Sequence, residues 1–459
     1  MNASLPPYNL ILATTLVFTV LLVARTFSLK RAGSSSLSAE GEKNFIQFRN
    51  RYLSVYLLMV AGDWLQGPYV YSLYSKYGFS RADIAVLFVI GFGASMLVGT
   101  FVGSLADSNG RKKFCLLYCA LYIGSCATKH VNDYYVLLLG RLLGGTATSL
   151  LFSVFESWLV CAHNSRGYGE EKLSEIFSLQ IFGNSIVAIL SGVIAQAAAD
   201  AFPMTDGPLI YWGGYTTPFD LASIILVIGG VLLALTWEEN FGEKQESQFS
   251  ISSLVQGLQV LRNEPDVLIC GLVQSLFEGA MYSFVFEWTP ALTPEGTSPP
   301  YGTIFATFMV CCMAGSQLVS KALSNGGTPH SALPYVFLVS AASFTAVPFD
   351  GYFGTSMSFY GFLVFEVCVG LYFPLISMMK SVIVPEQHRS TLYNIFRVPL
   401  NAIVLFVLLN HFSVQTTFML CVFLLLSAAG LQFVLLKLIS SKKKTNISDE
   451  EDGQPLQTQ

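Results

Sequence analysis

Acidic side chains stand inside apolar stretches of this sequence at three places. Asp63 lies in "AGDWLQGPYVYSLY", Glu278 in "QSLFEGAMYSFVFEWTPAL" and Glu366 in "FEVCVGLYFP". An ionised carboxylate among apolar residues is costly unless it faces a cavity, a charged partner or a proton path. Because such groups commonly relay protons or pair with the charges of a substrate, we treat the three acids as candidates for a transport pathway.

Asp63 has a structural as well as a functional interpretation. Its carboxylate can cap backbone groups that Pro68 leaves free, or it can pair with a neighbouring helix. On a helix, Asp63 shares its face with Gln66 and Tyr74, which is more typical of a polar channel wall than of a lipid-facing surface. We therefore add Gln66 to the candidate pathway and expect the helix to bend at Gly67 and Pro68. The structural interpretation stays open for the other two acids.

The surroundings of these acids are those of a membrane protein. The chain has 459 residues, of which 53% are apolar and 12% charged, and its mean hydropathy is +0.56; soluble domains carry about 25% charged residues. We predict an all-α polytopic protein in the lipid bilayer. The sequence contains no basic block of the kind that binds nucleic acids. Its nine cysteines lie in apolar runs and lack the spacing of metal ligands. We expect neither a nucleic-acid partner nor a metal or other cofactor.

Apolar runs of about 18 or more residues can cross a bilayer. The first run, about 10–23, is followed by the cations Arg25, Lys30 and Arg31 and shows no clear cleavage site, which predicts an uncleaved anchor with its N-terminus outside. Twelve further spans, numbered 1 to 12, are predicted at 52–75, 82–106, 114–130, 134–162, 174–199, 218–237, 266–291, 301–323, 331–348, 356–380, 391–411 and 414–438.

The charges between the spans set the orientation. The predicted inner loops are rich in cations, including 111–113, Lys380 and 442–444, whereas the outer loops hold few, mainly Lys76, Arg81 and Lys129. By the positive-inside rule the C-terminus is cytoplasmic. We expect a monomer in the plasma membrane.

These spans predict six segments along the chain. They are an anchor (1–30), a cytoplasmic linker (31–50), an N-terminal six-helix bundle (51–240), a second linker with an amphipathic helix (241–265), a C-terminal six-helix bundle (266–440) and a disordered cytoplasmic tail (441–459). Two six-span halves joined by a long inner linker are the organisation of many secondary transporters.

The loop between spans 2 and 3 carries a motif. It reads "GSLADSNGRKK", with Gly103, Asp107, Gly110 and Arg111 at its defining positions, and resembles the G-x-x-x-D-x-x-G-R-[RK] loop of the major facilitator superfamily. We expect Gly103 to allow close helix approach, Gly110 to permit a tight turn, and Asp107 and Arg111 to form charge pairs that break during transport. The resemblance implies that spans 1, 4, 7 and 10 line a central cavity.

A narrower resemblance covers nearly the whole bundle. Besides the three stretches quoted first, "SLLFSVFESWL" and "NIFRVPLN" are similar to the molybdate-anion transporter family within that superfamily. Glu287 departs from the family pattern, where an apolar residue is expected. The resemblance implies uptake of molybdate.

Three more charged residues complete the candidate set. Arg141, in "GRLLGGTATSLLF", lies in the outer third of span 4, where its fork of N–H donors suits an oxyanion. Glu156 lies about 22 Å further along the helix, too far to pair with Arg141. We expect Glu156 to pair with Arg111 at the cytoplasmic gate. For Arg397, a gate contact and a substrate contact are equally open.

A dianion such as molybdate would be repelled by three ionised acids near the midplane. Either the acids are protonated when substrate binds, or the solute is a cation or neutral. No nucleotide-binding loop or nucleophile–base arrangement is visible, so we expect no enzyme. We predict a secondary transporter that imports molybdate by alternating access, with protons as coupling ions. The alternatives are a carrier of another small anion, a sugar or an organic ion, and a non-transporting sensor or scaffold.

Overall fold

The structure is a computed structural model that describes residues 6–29, 39–205, 207, 210–242, 251–294, 296–324, 327–349, 354–410 and 412–452. These residues form helices, with two isolated β-bridges and no strand among them, as the sequence predicts. The helices are α1 Tyr8–Leu29, α2 Ala39–Trp64, α3 Val70–Lys76, α4 Arg81–Asn109, α5 Arg111–Thr128, α6 Tyr134–Leu151, α7 Val154–Asn164, α8 Glu170–Ala201, α9 Thr217–Thr236, α10 Ile251–Asn263, α11 Pro265–Ala291, α12 Tyr301–Gln317, α13 Val319–Ala322, α14 Pro329–Phe344, α15 Thr355–Ile383, α16 Arg389–Leu409 and α17 Val414–Asp452.

Nine segments of the described chain are long and apolar enough to cross a membrane, and they correspond to predicted spans 2, 4 to 7 and 9 to 12. The other three predicted spans are helical but do not meet these criteria of length and apolar composition. Span 1 is divided between α2 and α3, span 3 is α5, whose first turn holds three cations, and span 8 is the 17-residue α12.

The chain divides into two compact units. The N-terminal unit contains Pro7–Ser247 and Glu295–Val310, and the C-terminal unit contains Met1–Pro6, Gln248–Pro294 and Cys311–Gln459. The first part of α12 thus clusters with the N-terminal unit. The six predicted segments remain predictions.

A shared acceptor holds that part of α12 in the N-terminal unit. The side-chain oxygen of Gln196 accepts hydrogen bonds from the Tyr69 hydroxyl at 2.9 Å and from the Gly302 backbone N–H at 3.0 Å. Trp64 likewise donates to Asn184 at 2.9 Å. Polar side chains on α2, α8 and the 3-10 turn at Gly67–Tyr69 therefore satisfy one another inside the apolar bundle.

Small residues let helices meet at backbone distance in both units. In the N-terminal unit a Cβ on Gly145 of α6 would collide with the backbone oxygen of Gly91 in α4, and one on Gly140 would collide with the Thr128 hydroxyl. In the C-terminal unit a Cβ on Gly370 of α15 would collide with the backbone oxygen of Cys312 in α12. These glycines therefore allow the helices to approach one another closely.

Aromatic rings fill the cores of both units. Trp158 and Trp237 stack with their ring centroids 3.8 Å apart in the N-terminal unit, and Phe277 and Tyr372 stack at 3.9 Å in the C-terminal unit. Helix α10 occupies the stretch where an amphipathic helix is predicted. Its Leu261 packs against a small core cluster, whereas Val255 and Leu258 are exposed.

Candidate substrate and proton pathway

The chain of span 1 breaks next to Asp63. Helix α2 ends at Trp64, a 3-10 turn follows at Gly67–Tyr69, and α3 starts at Val70. The Gln66 side-chain amide donates a hydrogen bond to the Gly62 carbonyl at 2.8 Å, so it satisfies backbone where the helix opens. The break predicted from glycine and proline is present, and Gln66 is one of the residues that shape it.

Asp63 is half-buried and has one direct side-chain partner in the described structure. The hydroxyl of Tyr122, from α5, donates a hydrogen bond to the Asp63 carboxylate. Sequence reasoning missed Tyr122, because nothing in span 3 indicates which of its two tyrosines donates to Asp63.

Arg141 lies on α6 with its guanidinium over an aromatic ring. Its Nε donates to the Leu87 backbone oxygen at 3.1 Å, and its central carbon stands 4.7 Å from the centre of the Phe88 ring. Lys129, just after α5, is close enough for electrostatic repulsion with Arg141. Within the described ranges neither cation has an acidic partner at ion-pair distance.

Glu278 lies in a richer cluster in the C-terminal unit. The Tyr372 hydroxyl donates to Glu278 Oε1 at 3.0 Å, and Gln274 lies one helical turn before Glu278 on α11. Lys380 of α15 and Arg397 of α16 both attract this carboxylate electrostatically. Sequence reasoning counted Lys380 only among the loop cations, because it ends an apolar run.

Glu366 is not part of that cluster. It is buried on α15 and has Cys311 and Cys312 of α12 as its titratable neighbours. Glu366 and Glu278 therefore have different surroundings, although both were predicted at similar depth.

The predicted gate loop forms a compact turn between α4 and α5. Gly110 has a φ of +107°, a conformation that residues with side chains rarely adopt. The Arg111 Nε contacts Asp107 Oδ1 at 2.7 Å, so the two motif charges pair with each other. Gly103 differs from expectation, since a Cβ there would meet no described heavy atom within 4 Å, so no described helix approaches it closely.

The chain after α9 closes over this loop. Glu239 Oε1 accepts a hydrogen bond from the Lys112 backbone N–H at 2.7 Å, and Arg111 donates its own N–H to the Asn240 oxygen at 3.0 Å. Glu239 thus satisfies an N–H group that the first turn of α5 leaves free. The motif residues themselves gave no indication of this partner.

The last two candidates are exposed. Glu156 is on α7, and Arg111 takes Asp107 rather than Glu156 as its partner in this structure. Arg397 is exposed on α16 and acts electrostatically on Glu278, and its two alternatives, a gate contact and a substrate contact, both stay open. Gate roles for both remain predictions.

Comparisons with known proteins agree with this architecture. A family model described as sugar transporters with twelve transmembrane segments matches residues 14–371. The chain is 37% identical over 376 residues to the molybdate-anion transporter of Xenopus tropicalis, covering 80% of each chain. It is 32% identical over 409 residues to that of Takifugu rubripes, covering 83% of each chain.

Solved structures share the fold. The nucleoside transporter NupG aligns with a TM-score of 0.63 at 12% identity, covering 85% of this chain and 99% of its own. A D-xylose-proton symporter aligns with a TM-score of 0.61 at 14% identity, covering 84% and 97%. The chain belongs to the molybdate-anion transporter family of the major facilitator superfamily, a family of membrane transporters and not of enzymes.

Proposed function

We propose that this protein imports molybdate across the plasma membrane by alternating access, together with protons. Its relatives named molybdate-anion transporters support the substrate. The Glu278 cluster carries the coupling argument, because it combines one acid with two cations.

Protonation of Glu278 changes what the cluster can bind. While Glu278 is ionised, its charge offsets those of Lys380 and Arg397 and repels an incoming dianion. Once Glu278 is protonated, both cations are free to attract the anion. Two unit charges about 6 Å apart at an effective dielectric constant of about 20 interact by roughly 3 kcal/mol, which corresponds to about a hundredfold in affinity.

Proton and anion therefore favour each other's binding, as thermodynamic linkage requires. This removes the difficulty of a dianion beside an intramembrane acid. The Tyr372 hydroxyl, which donates to Glu278 Oε1, holds the carboxyl group in place while its charge changes.

We place the cytoplasmic gate at Asp107, Gly110 and Arg111, with Gly103, Glu156 and Arg397 as further candidates. The hydrogen bonds of Glu239 and Asn240 with the start of α5 support a conformation in which this loop is held by the chain after α9. The proposed orientation has the N-terminus outside and the C-terminus in the cytoplasm. The proposed transporting form is the monomer.

Tracer uptake tests the function. Cells that lack their own carrier and express this chain are expected to accumulate labelled molybdate saturably, faster at acidic external pH, with sulfate as a competitor. Labelled xylose in the same cells tests the sugar alternative. Uptake of molybdate no greater than in vector-only cells, with the protein present at the surface, would refute the proposal.

A further inference from the structure

A second pair of cations lies where α5 ends and α6 begins, apart from the Glu278 cluster. Lys129 directly follows α5 and is 1% exposed, and Arg141 is half-buried on α6. The two side chains repel each other. A buried cation beside a second, half-buried cation is unfavourable unless negative charge accompanies them.

The protein supplies no such charge among its described residues. The Lys129 ammonium has Thr128 Oγ1 as its acceptor at a long 3.4 Å, and stands 5.7 Å from the centre of the Tyr74 ring. The nearby acid Asp220 is used elsewhere, because its Oδ1 contacts His130 Nε2 at 2.9 Å. Arg141 makes its contacts with a backbone oxygen and an aromatic ring.

A hydroxyl without an acceptor belongs to the same place. Tyr74 is fully buried, its OH has no hydrogen-bond partner in the described structure, and its ring is close enough to Arg141 to be influenced by the guanidinium charge. A buried donor without an acceptor costs about 1–3 kcal/mol. The cluster therefore offers an ammonium, a guanidinium and a phenol O–H as donors, and no described carboxylate pairs with any of the three.

We propose that Lys129, Arg141 and Tyr74 form a binding site for a tetrahedral oxyanion inside the N-terminal unit. An oxyanion only accepts hydrogen bonds, which matches a set of three donors, whereas a sugar or nucleoside also needs acceptors for its hydroxyl groups. The inference deepens the proposed function and rests on it for the identity of the transported anion. With the proposed orientation this end of the unit faces outside, so the site receives the anion first, through Arg141.

Thermal unfolding of the purified full chain tests the site independently of transport. In neutral-lipid nanodiscs, and in an Arg397→Gln background that weakens the Glu278 cluster, molybdate and sulfate are expected to raise the Tm. Sodium chloride at equal ionic strength is not expected to raise the Tm. Adding Lys129→Gln is expected to weaken the oxyanion-induced shift, so that about tenfold more anion is required. Lys76→Gln, an exposed lysine on α3, is the matched control.

The Tm without anion separates binding from a structural role. If Lys129 binds an anion, Lys129→Gln keeps or raises the anion-free Tm, because the repulsion with Arg141 is removed. A lowered anion-free Tm with an intact oxyanion shift would make Lys129 a structural residue and overturn the proposal. An equal shift with chloride would overturn it too.

Tyr74→Phe removes one oxygen and preserves the packing, so it carries the test if Lys129→Gln does not fold. We expect about threefold weaker oxyanion stabilisation, the effect of one lost hydrogen bond. An unchanged Tm shift in Tyr74→Phe would exclude Tyr74 from the site and refute the argument from three donors.

If cells expressing the wild type take up no molybdate yet the oxyanion-induced Tm shift depends on Lys129, the proposed function fails and this site stands. If uptake occurs with an unchanged KM in Lys129→Gln, the site fails and the function stands.

Discussion

The two units each contain a carboxylate that accepts a hydrogen bond from a tyrosine hydroxyl, but the surroundings of the two pairs differ. Tyr122 donates to Asp63 in the N-terminal unit, and Tyr372 donates to Glu278 in the C-terminal unit. Glu278 is attracted by two cations. No cation is among the described groups that influence the Asp63 carboxylate electrostatically.

This difference assigns different tasks to similar pairs. Adding a proton to Glu278 releases two positive charges, so it changes the anion affinity of its unit. Adding a proton to Asp63 releases none, and alters mainly its bond with Tyr122 beside the break in span 1. Among the described residues of the same unit, Lys129 and Arg141 make no ion pair with Asp63.

The largest expected effect follows from fixing the C-terminal acid in its neutral form. We expect Glu278→Gln to lower net molybdate uptake about a hundredfold, because the proton can no longer leave after the anion. Exchange of labelled for unlabelled molybdate in proteoliposomes should survive, since exchange does not need that step. Glu386→Gln, an exposed acid in the same unit, is the control. Net uptake at the wild-type rate and pH profile would remove Glu278 from coupling.

Arg397→Gln tests the cations of the same cluster. We expect the KM for molybdate uptake to rise about tenfold with the maximal rate less affected, because one charge that attracts the anion is lost. Arg262→Gln, an exposed arginine on α10, should leave the KM unchanged. If the two variants had the same KM, the claim that the cations of the C-terminal unit attract the anion would be refuted.

Asp63→Asn tests the N-terminal acid. We expect uptake to fall roughly fivefold while folding and trafficking survive, because the charge-assisted bond from Tyr122 is replaced by a weaker one. Tyr122→Phe should give a similar loss, and the double variant should lose little more, since the two residues act as a pair. Unchanged kinetics of Asp63→Asn at every pH would eliminate its proposed role.

The smallest expected effect belongs to Arg141→Lys. This change keeps the positive charge and loses the planar fork with its bond to the Leu87 oxygen, so we expect the KM to rise about threefold. Initial rates over a range of molybdate concentrations measure it. An unaltered KM would take Arg141 out of the substrate path.

Much of the fold could be predicted because hydropathy and loop charge report directly on lipid and water. The helices, the break at Gly67 and Pro68, and the turn at Gly110 all follow from local residue chemistry. Contacts between side chains on different helices could not be predicted in this way, because a sequence pattern does not show how far each helix is rotated about its axis or how neighbouring helices are aligned. Glu239 and Lys112, for example, contact each other across 127 positions of sequence.

Lys129 shows the same limit in another form. As a cation at the end of an apolar run it was counted as a loop residue, yet the structure buries it beside Arg141. Lys380 was counted in the same way and acts on Glu278. Residue type indicated charge in both cases, and only the packing of neighbouring helices determined where that charge is effective.

The backbone-distance contacts at Gly145 and Gly370 bear on how inherited variants of this protein should be interpreted. A side chain at either position collides with the main chain of the neighbouring helix, which cannot move aside as a flexible side chain can. We expect such a variant to lower the amount of protein that reaches the membrane. We expect a variant at Glu278 to leave that amount normal and to alter turnover, so that an immunoblot of the membrane fraction distinguishes the two kinds of loss before any transport is measured.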